Sequence, residues 1–118
     1  MPHMLLIHEP TGQRATRSEA EGRDLYERML RWGGDLRSRG LLLAAESLAS
    51  QDGAARVTAA GGKARIVDGP FAEAKEMVGG FFLVDVDSRE EAIKLARECP
   101  AAEWATVEVR GLAPCFEG

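Results

Sequence analysis

Apolar positions in this chain alternate between a strand period and a helix period, and the switches between the two divide it into elements. Residues 3–8 (His-Met-Leu-Leu-Ile-His) form a short apolar run that predicts a buried strand, with Leu5 and Ile7 on one face and Met4, Leu6 and His8 on the other. Glu9-Pro10-Thr11-Gly12 ends it as a turn. Ser18-Glu19-Ala20-Glu21 has the form of a capping box, and Leu25, Met29, Trp32 and Leu36 then recur at helical spacing, which predicts a helix to about Arg39, stopped by Gly40. Gly33-Gly34 inside that helix costs about 1 kcal/mol per glycine relative to alanine, a cost that close approach of the helix backbone to a sheet would offset.

Leu41 to Leu48 predicts the second strand, apolar except for Glu46 and Ser47. Ala55 to Ala60 and Lys63 to Val67 predict a hairpin turned by Gly61-Gly62. Val78 to Val86 predicts the third main strand. Ser88 with Glu91 opens a second helix that buries Ala92, Leu95, Ala96 and Cys99 and ends at Pro100. Thr106 to Arg110 alternates and predicts a strand with one wet face.

The order strand, helix, strand, hairpin, strand, helix, strand predicts an α+β fold: a ferredoxin-like β-α-β-β-α-β arrangement with an inserted β-hairpin and both helices on one face of an antiparallel sheet. The strand runs Met4-Leu5-Leu6-Ile7, Leu41-Leu42-Leu43 and Phe81-Phe82-Leu83-Val84 are apolar on both faces, so the second face also needs a cover. No third helix is left to supply it. The expected cover is a second copy of the chain, giving a homodimer whose facing sheets close a shared barrel.

Composition narrows the function classes. A chain of 118 residues, 45% hydrophobic and 29% charged, reads as a single domain over residues 1–118. A net charge of −4 offers no basic surface for a phosphate backbone, which excludes a nucleic-acid partner. No apolar run approaches the roughly 20 residues of a membrane span, and the basic n-region of a signal peptide is missing, so no membrane partner is expected. Cys99 and Cys115 form no CxxC or zinc-ligand pattern; a reduced, cytoplasmic location is the simplest reading. No metal-ligand cluster, GxSxG or phosphate-loop motif is present, and no cofactor is indicated.

The densest stretch is Asp68-Gly69-Pro70-Phe71-Ala72-Glu73-Ala74-Lys75-Glu76, followed by Met77-Val78-Gly79-Gly80-Phe81-Phe82. Gly69-Pro70 predicts a turn and Phe71 a plug over the core, with Asp68 either an Asx-turn residue or a ligand or base. Glu73 and Lys75 are either solvated charges or the rim of a site. His8 closes the face of Met4 and Leu6, as a packed histidine or a general acid/base. Glu46 is a carboxylate on an apolar strand that must be paired or lie at a cavity; if it and Ala44 share the face of Leu42, it points away from Ala45. His3 is expected to be exposed.

That nonapeptide, with Gly80-Phe81-Phe82, Ala45-Glu46-Ser47-Leu48, Glu91-Ala92-Ile93, Cys99-Pro100 and Val107-Glu108-Val109-Arg110, resembles the DGPF branch of the YCII-related proteins over nearly the whole chain. The resemblance implies a dimeric α+β barrel. The chain departs from the shorter YCII-type relatives, which carry a histidine in or near the first helix paired with an aspartate: no histidine lies between Ser18 and Gly40. Two functions are carried forward. One is a dimeric small-molecule-binding protein with its pocket near the DGPF turn, lined by Phe71 and by Phe81 or Phe82, with Glu46, Glu73, Lys75 and Arg110 as polar contacts. The other is an enzyme using His8 and Asp68 as an acid–base pair on a small organic substrate. The resemblance also implies a third: an accessory or regulatory dimer linked to a sigma factor.

Overall fold

The first helix starts where its capping box places it. Ser18 Oγ accepts from the Glu21 N–H, and Glu21 Oε1 accepts from the Ser18 N–H, satisfying two of the free donors of the opening turn. Those bonds hold the Glu21 carboxyl below the usual carboxylate range. The computed structural model describes residues 1–118. In chain order the elements are β1 (His3–Pro10), α1 (Glu19–Ser38), β2 (Leu42–Ser47), β3 (Ala55–Thr58), β4 (Arg65–Asp68), β5 (Glu76–Val84), α2 (Arg89–Glu98) and β6 (Thr106–Gly111). The architecture is α+β, with two helices, a four-stranded antiparallel sheet in the order β2-β5-β1-β6, and a separate two-stranded sheet of β3 and β4. The four-stranded sheet is open, not a closed barrel.

Two bulges set which side chains face the helices. Ile7 pairs with Gly80 and His8 with Val78, so Gly79 is an extra residue in β5. The insertion reverses the alternation, burying Met77 and leaving Val78 exposed. Leu42 pairs with Val84 and Ala44 with Leu83, which makes Leu43 the extra residue of β2. That second bulge corrects the expected alternation: Ala44 and Glu46 lie on the face opposite Leu42, because the chain gains one residue between them.

The core sits between the sheet and the helices. Leu5, Leu36 and Val84 are fully buried and pack with Ile7, Phe82, Val86, Ala92, Leu95, Ala96, Cys99 and Ala101. Burial pushes the Cys99 thiol up to about 11, which makes it inert; Cys115 is exposed. All four positions expected on the buried face of α2 are buried. In α1, Trp32 meets Phe82 edge to face with ring centroids 4.8 Å apart. A Cβ on Gly33 would stand 3.4 Å from the Phe82 ring, so the predicted close approach of helix to sheet is real at Gly33. At Gly34 a Cβ would meet nothing within 4 Å. Gly34→Ala is therefore expected to stabilise the protein by about 1 kcal/mol, read as a raised midpoint in urea unfolding.

The other face of the sheet carries no layer. Across its strands run Ala44, Leu83, Met4 and Arg110 in one row and Glu46, Phe81, Leu6 and Glu108 in the next. Its centre is apolar and its charges lie on the two edge strands. The molecule measures 46 × 43 × 20 Å, and its radius of gyration of 16.1 Å exceeds the roughly 13–14 Å of a compact domain of this length. No helix is long and apolar enough to cross a membrane.

Three expectations change. β3 and β4 pair only from Thr58–Arg65 outward, so their connection is a longer loop with Gly61 and Gly62 both at positive φ, not a two-residue turn. β5 starts at Glu76 and ends at Val84, leaving Val86 as a buried residue after the strand. His3 is buried, its Nδ1 donating to the Val86 carbonyl at 3.1 Å, because the odd positions of β1 all point inward.

Candidate functional site: a cleft beneath the first helix

The helix-facing alternation of β1 continues past Leu5 and Ile7 to Glu9, which places a carboxylate under α1. A buried carboxylate requires a partner. The 3-10 turn of residues 13–16 supplies it: Arg14 Nε donates to Glu9 Oε1 at 2.5 Å and Nη2 to Oε2 at 3.3 Å. The same guanidinium donates to the carbonyls of Leu48 (2.9 Å) and Gly79 (3.4 Å). One arginine thus ties β1, the β5 bulge and the segment after β2 together. The bulge glycine is required here, because a Cβ on Gly79 would lie 2.1 Å from Glu9 Oε2. Gly80 is similarly held, since a Cβ on it would lie 2.9 Å from the Glu46 carbonyl oxygen.

Above this pair, between α1 and the sheet, lies a half-open cleft of about 770 Å³. Its floor is Ile7, Gly79, Gly80, Phe82 and Ala45; its helix wall is Gly22, Leu25, Tyr26, Met29, Leu30 and Gly33. Trp104 and Ala101 close the far side. They are held against α1 by Arg28, which pairs with Glu103 (Nη2–Oε2 2.5 Å) and lies 5.4 Å over the Trp104 ring. That hydrogen bond keeps the Glu103 carboxyl below the ordinary carboxylate range. The sign follows: a depressed carboxylate favours the folded state above its ordinary pKa and loses that contribution as pH falls through the depressed one.

The residues singled out in the sequence do not gather around this cleft. Phe82 lines it, and Glu46 sits at its β2 margin. Phe81 is on the open sheet face, between Leu6 and Glu46. His8 is also on that face, where Nε2 donates to Glu108 Oε1 at 2.6 Å; Arg110 Nε stands 3.9 Å from the other Glu108 oxygen. His8 borders a shallow cavity of about 520 Å³ shared with Gln13, Glu76, Glu103 and Trp104. Asp68 is exposed at the end of β4, and no hydrogen bond or ion pair joins it to His8, which is bonded to Glu108 instead. Phe71 is buried beneath the Arg56 guanidinium, 3.7 Å from the ring, outside the main core cluster. Glu73 is exposed, 4.0 Å from Arg56. Lys75 is exposed, and its carbonyl accepts from the Thr11 N–H at 2.9 Å. No group of three or more His, Cys, Asp or Glu side chains is placed to hold a metal ion.

Asp68 to Lys75 is therefore a joint between the hairpin and β5. Gly69 donates to the Ala54 carbonyl at 2.7 Å, and a Cβ on it would fall 2.1 Å from the Gln51 carbonyl oxygen. Only glycine fits. Sequence reasoning missed Glu9, Arg14, Gly22 and Trp104. The signal for the first two was present: an inward-phased Glu9 demands a cation nearby, and Arg14 is the first basic residue after it.

Residues 1–115 match the YCII-related domain family. An uncharacterized protein of Rhizobium meliloti (strain 1021) is 44% identical over 62 residues, covering 51% of this chain and 50% of that protein. The match thus spans about half the length of that relative.

Proposed function

The chain belongs to the YCII-related domain family, and on that premise we propose that it is a small-molecule-binding protein whose ligand occupies the cleft beneath α1. The observation that carries this reading is the cleft itself: about 770 Å³, apolar walls, and an ordered charged pair in the floor, within the range of ligand sites. The glycines support it. Gly22 costs about 1 kcal/mol in helix propensity, yet a Cβ there would meet nothing within 4 Å, so the fold gains no contact from the missing side chain. A ligand against the helix backbone would use that space.

The same reading makes the protein a homodimer. The strand order β2-β5-β1-β6 suits a ferredoxin-like sheet, and burying the Met4, Leu6, Phe81 and Leu83 face against a second copy would close the shared barrel. Two free cysteines support a reduced, cytoplasmic setting.

Gly22→Leu tests the site without disturbing the fold, since leucine favours helix and its side chain enters open space. Compounds that raise the melting temperature of the wild type in a metabolite screen are expected to lose their effect on this variant; at a concentration of 100 Kd the effect corresponds to about 2.7 kcal/mol. A screen without hits, or hits equally effective on Gly22→Leu, would sink the proposal.

One observation favours a second reading, an enzyme. Glu108 on His8 Nε2 keeps the ring proton there and leaves Nδ1 as the basic nitrogen, an arrangement suited to general acid/base work. In that reading the partner of His8 is Glu108.

A further inference from the structure

We infer that the cleft selects an anion: a carboxylate with an apolar body, its head group held by Arg17. This rests on the reading of the cleft as the ligand site.

The charges around the cleft do not cancel. Four arginines border it, Arg14, Arg17, Arg23 and Arg37, against the carboxylates of Glu9, Glu19 and Glu46. Arg14 is committed to Glu9 and two carbonyls, and Arg23 pairs with Glu19 at 2.7 Å. Glu46 is paired across the sheet with Phe81, on the face turned away from α1, so it does not offset a cation within the cleft. That leaves Arg17 and Arg37, neither of which makes a side-chain hydrogen bond or an ion pair.

The two differ in how firmly they are placed. Arg37 is exposed at the far end of α1, whereas Arg17 is half-buried immediately before the Ser18 cap, with its backbone N–H bonded to the Arg14 carbonyl at 3.3 Å. Glu21 is close enough to Arg17 for the guanidinium to help lower its pKa, but its carboxylate is already bonded to the Ser18 N–H. A half-buried guanidinium without a bonded partner, at one end of a mainly apolar channel, suits a single carboxylate. From Arg17 the channel runs over Gly22 to Met29, Phe82 and Trp104, which receive an apolar tail or ring. A cation would meet unmatched positive charge, and a neutral alcohol would leave Arg17 unused.

Octanoate, 1-octanol and octylamine share one tail and differ in head group, so titrating the 118-residue chain with each, followed by calorimetry, isolates the charge. Octanoate is expected to bind with one-site stoichiometry at least about tenfold more tightly than octanol, the gain of one charge-assisted contact. In Arg17→Gln that advantage should fall below about threefold with octanol affinity unchanged; Arg17→Lys should keep part of it. Equal binding of octanoate and octanol, or tighter binding of octylamine, both abolished by Gly22→Leu, would overturn the anion inference and leave the cleft reading standing. If no compound binds, or binding is untouched by Gly22→Leu, both fall. The Arg17 variants should melt with the wild type, because that side chain makes no bond within the fold.

Discussion

Arg14→Met is expected to destabilise the protein by about 2–3 kcal/mol, lowering the melting temperature by roughly 8–12 °C for a chain of this size. Loss of one partner from a fully buried pair costs about 3–5 kcal/mol; the smaller figure applies because the Arg14 side chain is 33% exposed, although Glu9 is only 9% exposed. The loss has three parts. Glu9 is left buried with no cation bonded to it, the Leu48 and Gly79 carbonyls lose a donor, and the β5 bulge loses the group that bridges it to β1. Glu9→Gln in the Arg14→Met background should recover part of the loss, since an unpaired amide is less costly to bury than an unpaired carboxylate. A double-mutant cycle in urea should then give a coupling between the two sites well above 0.5 kcal/mol; a coupling near zero would mean that the pair does not organise the cleft floor.

If the open sheet face is the dimer interface proposed above, Leu6→Asp should give a monomer while leaving each subunit folded. Leu6 lies in the apolar middle of the open sheet face, flanked by Phe81 and Glu108. In an isolated subunit the new carboxylate would reach water. In a two-fold dimer it would be buried twice, once from each copy, and next to Glu108 it has no cation to meet except the one Arg110 already offers. Association should weaken by at least about 100-fold in affinity, enough to give monomer at micromolar concentration by light scattering. A wild type that is itself monomeric would remove the dimer from the account, and a Leu6→Asp dimer would place the interface elsewhere.

Most of the fold was legible because local chemistry and pattern agreed. Ser18 and Ser88 both cap a helix by accepting from the N–H three residues on, and the stripes they open pack as their spacing requires. What escaped was parity. Single extra residues at Gly79 and Leu43 reverse the alternation, and nothing in a period-two pattern announces an insertion of one residue. For the same reason a plain alternation would put Glu46 on the face of Leu42, where the bulge does not leave it. The site was less legible than the fold. Asp68 to Glu76 concentrates charged and turn residues in one stretch, but its chemistry serves geometry: Gly69 fits under the Gln51 carbonyl and Phe71 under Arg56. The cleft instead draws on residues far apart in sequence, from Glu9 to Trp104, and several are glycines, whose contribution is space.

The most direct test of the central claim is an amide chemical-shift map of the protein with a compound found by thermal shift. Perturbations are expected at Gly22, Gly33, Gly79 and Phe82, with Asp68 to Lys75 silent. Perturbations confined to Asp68 to Lys75, or to Leu6, His8 and Glu108 on the open face of the sheet, would contradict it.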